Sequence, residues 1–214
     1  MSVGPSKYQA WNELFDRMVE RDQVITESGD YQQIYRMAHP RSWNRGDMAA
    51  QKKRGAIDAY NLAVYMNVSI RDNINKLHQP SHPNVIPSLF HASASDFIRD
   101  IVVEGKIHPS SGKVWFADAP EYQFGDCGVA INASQVKISG HTDSSYKEGS
   151  MWYYTDRDVD FNFSFDIIFT KNLEDTIELH GMLNARSFKY NILTIGLLGV
   201  QEFEQFCLQY NRVL

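Results

Sequence analysis

The sequence predicts an α+β protein, with a helical N-terminal region over residues 1–80 followed by a strand-rich domain over residues 86–214. Before position 80 the apolar residues recur at three- and four-residue spacing, the period of a single helix face. From Ile86 onward short apolar runs alternate with turn residues, which is the texture of strands. Between the two, Gln79-Pro80-Ser81-His82-Pro83 and Pro87 interrupt any regular structure.

Taken in order, Trp11, Leu14, Phe15, Met18 and Val19 mark the apolar stripe of a first helix. A second, short helix is expected over Tyr31–Met37, stopped by Pro40, and a third from Met48 to Leu77. In the third, Ala56, Tyr60, Ala63, Val64 and Asn67 keep the rhythm, and such stripes read as packing surfaces rather than ligand boxes. Strands are expected over Ile86–Ser93, Val114–Ala117, Val129–Ile131, Phe161–Thr170 and Phe188–Leu198. A helix from Ala94 to Glu104 carries Phe97, Ile98, Ile101 and Val102 on one face and ends at Gly105. The polar stretch Ser139–Asp158 is expected to be a long loop, a frequent home of function, and Val200–Tyr210 a terminal helix.

Composition narrows the classes of function. Hydrophobic residues make up 43% of 214 and aromatics 13%, enough to bury a core. A net charge of −5 disfavours bulk electrostatic binding of nucleic acid; the densest basic stretch, Gln51-Lys52-Lys53-Arg54, reads as a solvated helix face. The two cysteines, Cys127 and Cys207, make neither a disulfide framework nor a metal cluster. His39, His78, His82, His108, His141 and His180 lack metal-ligand spacing, so no metal is expected. The best apolar run, Ile192 to Val200, is too short to span a bilayer, and the N-terminus lacks the apolar core of a signal peptide. Phosphate-binding and dinucleotide-binding glycine loops are missing as well.

The informative stretch runs Leu89-Phe90-His91-Ala92-Ser93, then the helix ending in Gly105, then Gly112-Lys113-Val114-Trp115-Phe116-Ala117, then Pro120-Glu121-Tyr122. It resembles the front half of the ADP-ribosyltransferase superfamily, in its poly-ADP-ribose-polymerase and diphtheria-toxin-like branch. There a strand ending in His-Gly-Ser or His-Gly-Thr leads to a helix that ends in Gly. A strand close to Gly-x-Tyr-Phe-Ala follows. The resemblance implies a split antiparallel β-sandwich core holding NAD as a substrate. His91 would bond the adenosine-side ribose, while Ala92 and Ser93 would pair with the nicotinamide carboxamide. Trp115, with Phe116 beside it, stands where the family has its tyrosine, and Tyr122 is expected to stack on the nicotinamide ring. Aromatic faces suit a flat cationic ring.

A carboxylate should complete the site by stabilising charge on the ribose. Alternation over Val159–Thr170 puts Asp160, Asn162, Ser164 and Asp166 on one strand face, and Asp166 is the expected carboxylate. Glu178 is its rival. A third register aligns Tyr190-Asn191-Ile192-Leu193 and leaves Ile192 at that position. Glu202-Phe203-Glu204 imitates the Glu-x-Glu of arginine-modifying toxins but falls in the terminal helix. The chain departs from the family at Ala92 for glycine, Trp115 for tyrosine and Asp166 for glutamate. These departures favour transfer of a single ADP-ribose over polymer synthesis.

The resemblance implies a mono-ADP-ribosyltransferase acting on a target protein, in the manner of a bacterial toxin or effector. Such a protein would be cytoplasmic, or would reach a host cell without a cleaved signal. The helical region would recognise the target or cover the cleft. Two other outcomes are a modifier of nucleic acid, such as a relative of the NAD-dependent 2′-phosphotransferases, and an interaction module with a degenerate NAD site.

Overall fold

A computed structural model of the chain describes residues 7–28, 50–77, 89–142, 149–162, 166–184 and 190–210. The helix expected over Tyr31–Met37 lies outside them, as do residues 78–88, where the two regions were expected to meet. Helices α1 (Lys7–Ser28) and α2 (Ala50–Leu77) form where the three-and-four spacing places them. α1 buries Ala10, Trp11, Leu14, Phe15 and Met18, and α2 buries Tyr60, Ala63, Asn67 and Ile70. The Tyr60 hydroxyl donates to Asp22 Oδ1 at 2.9 Å and links the two helices.

The strand-rich part begins with β1 (Leu89–Ser93) and α3 (Ser95–Glu104), which ends as expected at Gly105 in the left-handed region. It continues through β2 (Lys106–Ile107), β3 (Val114–Ala117), β4 (Cys127–Ile131), β5 (Gly140–Thr142), β6 (Trp152–Thr155), β7 (Val159–Asp160) and β8 (Ile167–Thr170). The remaining elements are α4 (Leu173–Asn184), β9 (Ile192–Thr194), α5 (Ile195–Leu198) and α6 (Val200–Tyr210). Seven strands form one sheet in the order β5-β6-β3-β1-β4-β8-β9, while β2 and β7 pair separately. Every pair in the large sheet is antiparallel except β8 with β9, which α4 joins as a crossover.

Period-two alternation sends the strand side chains to two cores. Phe90, Ala130, Ile167, Phe169 and Leu193 face α1, α2 and α6, whose Trp11, Ile70, Phe203 and Phe206 complete the first core. Trp11 is its hub, with ring centroids 5.3 Å from Phe206, 5.8 Å from Phe15 and 5.9 Å from Phe203. Leu89, Val129, Ile131, Ile168 and Ile192 face the other way, toward Ile98 and Val102 of α3 and Leu179 and Leu183 of α4. The N-terminal helices therefore share a core with the sheet.

Three expectations about strands need correction. Of the strand expected over Phe188–Leu198, only Ile192–Thr194 is strand among the described residues, and Ile195–Leu198 is helical. The stretch expected to be one long loop, Ser139–Asp158, contains β5 and β6, whose polar and aromatic composition hides a regular pair. The strand expected over Phe161–Thr170 starts only at Ile167. Asp160 belongs to β7 and reaches Lys106 Nζ at 3.8 Å, so Asp160 and Asp166 do not share a strand face.

The edge strand β9 is closed by a side chain. Asn67 Oδ1 accepts from the Thr194 N–H at 3.0 Å, and its Nδ2 donates to the Thr194 carbonyl at 3.3 Å. The amide does what a neighbouring strand would do at an open edge. Behind it, buried hydroxyls link Thr170, Thr176 and Thr194 across β8, α4 and β9, at 2.6 and 2.8 Å. Asn67→Ala leaves two buried backbone groups unpaired and is expected to lower unfolding free energy by about 3 kcal/mol in a urea titration. A loss under about 1 kcal/mol would show that the amide is dispensable to the edge.

Candidate functional site

The site follows from an imperfect strand pairing. β1 runs in register with β4 along its whole length, from Leu89↔Ile131 to Ser93↔Cys127. Its other neighbour, β3, is registered only at Phe90↔Ala117. Beyond that pair the two strands part, and the His91 side chain spans the gap, its Nδ1 donating to the Trp115 carbonyl at 2.8 Å. A carbonyl only accepts, so Nδ1 carries the proton and Nε2 presents a lone pair. Burial lowers the imidazole pKa below its ordinary value, outweighing the hydrogen bond to Trp115, so the ring is neutral at physiological pH.

A cavity of about 930 Å³ opens where the strands part. His91, Ala92 and Ser93 of β1 line it, with Trp115 and Phe116 of β3 opposite. α3 contributes Phe97, Asp100, Ile101 and Glu104 along one rim. Trp152 and Phe124 extend an aromatic wall on the other side, with ring centroids 5.8 Å apart and Trp152 again 5.8 Å from Trp115. Tyr154 continues the wall 4.9 Å from Trp115, and Lys113 Nζ lies 4.0 Å from the Tyr154 ring centroid. That cation–π contact shows the affinity of these rings for positive charge.

The rim by α3 is tied by charge. His108 sits between Glu104 and Asp158, its Nε2 3.1 Å from one and its Nδ1 3.0 Å from the other. Asp158 first and Glu104 second raise its pKa and favour the imidazolium. The pairing is exposed, so water and salt screen it. Its contribution is fully present below the ordinary imidazole pKa and fades as pH rises through the raised value.

Of the residues singled out from the sequence, His91, Ala92, Ser93, Trp115 and Phe116 come together at this cavity, whereas Tyr122, Asp166 and Glu178 do not line it. Tyr122 and Phe124 share a three-residue 3-10 turn, in which successive side chains point about 120° apart. Tyr122 therefore turns toward Phe169 and the first core, and burial raises its phenol pKa, while Phe124 turns out to the cavity. Glu178 is exposed on α4 and accepts from Ser95 Oγ at 3.2 Å.

Asp166 lies at the other end of the sheet, beside Asn132 beyond the Ile131 end of β4, whereas the cavity-lining Ser93 pairs with Cys127. It is a buried hub that accepts from the Asn162 N–H at 2.6 Å and from the Asn132 N–H and Gln135 Nε2 at 3.2 Å each. The buried carboxylate that lines the cavity, among the described residues, is Glu121, which is 3% exposed. Its position in Pro120-Glu121-Tyr122 is visible in the sequence, but its burial is not. The turn that carries it is pressed against β1 at Gly125, where a Cβ would stand 2.0 Å from the Ser93 carbonyl oxygen. Only glycine allows that approach.

No protein-family model, curated protein or solved structure matches the chain. Among the described residues no group of three or more His, Cys, Asp or Glu side chains is placed to hold a metal ion. No described helix is long and apolar enough to cross a membrane.

Asp166 yields a pH prediction. Burial outweighs its three hydrogen bonds and pushes its pKa from the ordinary 3.8 up to about 6. Between those values the folded state holds the extra proton, so the contribution of Asp166 to stability is fully present below about pH 4 and is lost as pH rises through about 6. The difference is on the order of 3 kcal/mol at most, from about 1.4 kcal/mol per pK unit. Urea midpoints measured from pH 4 to 7 should fall less steeply in Asp166→Asn than in wild type. Parallel pH profiles would remove Asp166 as the source.

Proposed function

We propose that the protein is a mono-ADP-ribosyltransferase that moves ADP-ribose from NAD to a target protein and releases nicotinamide. The observation that carries this is the convergence of the family-like residues: His91, Ala92 and Ser93 on β1 and Trp115 and Phe116 on β3 all line the cavity where those strands part. The volume of about 930 Å³ falls within the usual range for small-molecule sites, roughly 300–1,000 Å³.

Each group has a chemistry suited to that substrate. The bare Nε2 of a neutral His91 accepts a hydrogen bond from a ribose hydroxyl. Ser93 and the strand backbone around Ala92 offer donors and acceptors for a carboxamide. Trp115 offers its face to the cationic nicotinamide, and Phe124 takes the stacking role that the sequence suggested for Tyr122. A bound dinucleotide would be held by positions on rigid strands, which orient the bond to be broken.

Nucleic acid is the less favoured acceptor. Lys106, His108 and Lys113 line the cavity, yet Asp100, Glu104 and Glu121 line it too, and the net charge is −5. Adenine-labelled NAD incubated with purified protein and a cell lysate should yield label that protease removes and nuclease does not. His91→Ala should lower the transfer at least about 100-fold, the scale of a misplaced reacting group. NAD should raise the thermal midpoint of the wild-type protein near neutral pH. That stabilisation should fade in acid, where protonated His91 loses its acceptor. Label released by nuclease would move the acceptor to nucleic acid, and absence of both label and thermal stabilisation would overturn the NAD reading.

A further inference from the structure

Resting on the proposed NAD chemistry, we propose that Glu121, rather than Asp166 or Glu178, is the carboxylate that stabilises charge on the reacting ribose. Three carboxylates line the cavity among the described residues: Asp100, Glu104 and Glu121. Asp100 accepts from Arg99 Nη2 at 2.8 Å, and Glu104 is held by His108. Both are exposed on α3, where solvent screens their charge. Glu121 is buried and lines the same cavity, three residues before the wall residue Phe124. A charge at that depth acts through a low-dielectric surround and is felt strongly by a cation formed beside it.

Its position is fixed before any ligand arrives. Glu121 Oε2 accepts from Gln123 Nε2 at 2.6 Å, and its carbonyl accepts from the Phe124 N–H at 3.3 Å. The turn is held by Gly125, which packs directly on the Ser93 carbonyl. A carboxylate set on a short, anchored turn costs little reorganisation when charge develops.

The step balances without any further reagent. The bond between the ribose anomeric carbon and the nicotinamide nitrogen breaks, and its electron pair leaves with nicotinamide, which departs neutral. The ribose carries the positive charge as an oxocarbenium, facing the Glu121 carboxylate. A lone pair of the acceptor then forms the new bond to the anomeric carbon, and the acceptor's proton passes to Glu121 and on to solvent.

The test uses the full chain, adenine-labelled NAD and a lysate acceptor, with NAD-induced thermal shift as a second readout. Glu121→Gln keeps the hydrogen-bonding shape and removes the charge. It should bind NAD with an unchanged thermal shift while kcat for transfer falls about 100- to 1,000-fold with KM nearly constant. Glu121→Asp keeps the charge on a shorter arm and should fall between wild type and Glu121→Gln. Should Glu121→Gln prove unstable, the aspartate variant still decides: transfer within threefold of wild type overturns the assignment. It is equally overturned if Glu121→Gln transfers normally, or if Asp166→Asn folds normally and abolishes transfer. A wild-type protein with neither NAD shift nor label overturns the NAD reading itself, and the assignment with it. Active wild type with active Glu121→Gln overturns the assignment alone.

Discussion

The hydrogen bond from His91 to the Trp115 carbonyl holds the whole site in its shape. Two adjacent strands that part expose unpaired backbone groups, and such groups are costly wherever water is excluded. A single imidazole meets part of that cost on β3 while keeping the strands apart. A residue without a side-chain donor at position 91 would leave the Trp115 carbonyl unmatched, and a full ladder between β1 and β3 would close the cavity. The ring therefore links fold to chemistry. It bridges β1 and β3 where they part, and it lines the cavity that opens there.

A wedge in the middle of a sheet is tolerable only if the rest of the sheet is firm. β1 is anchored along its full length to β4, and β4 to β8, by continuous ladders. Helices cover both faces of this half, and Trp11 packs among Phe15, Phe203 and Phe206 behind Phe90. The far edge is closed by Asn67, and the parallel crossover is pinned by three buried threonine hydroxyls. Among the described residues, α1 and α2 contribute none to the cavity lining. Their described contacts stiffen the half of the sheet against which the wedge opens.

The sequence made the helices legible because their apolar residues repeat locally, and the cavity's core legible because His91, Ser93 and Trp115 fall in a recognisable order. What it hid depends on contacts between distant segments. Alternation from Val159 to Thr170 suggested a single strand, but period two cannot reveal that the chain leaves one sheet at Asp160 and enters another at Ile167. β6 reads as a polar loop because Trp152 and Tyr154 face the open wall while Tyr153 is fully buried, and two adjacent tyrosines look alike in a sequence. Glu121 escaped for the same reason. Nothing next to it signals burial, which arises from a glycine four residues later meeting the end of a strand more than twenty residues earlier.

The fit of the cavity wall is also better understood across strands than along them. Ala92 has Gly128 as its registered partner on β4. At Gly128 a Cβ would stand 2.2 Å from the Phe169 ring and 2.5 Å from the His91 carbonyl oxygen. The methyl of Ala92 joins the periphery of the first core, and the glycine that close packing requires sits opposite. The large Trp115 ring is met by Trp152 and Tyr154 of β6, and Gly140 of β5 leaves room for the Tyr154 ring, whose hydroxyl would stand 2.5 Å from a Cβ there. Each wall residue is thus matched by a small residue or an aromatic partner on a neighbouring strand, which keeps the wall of the cavity continuous.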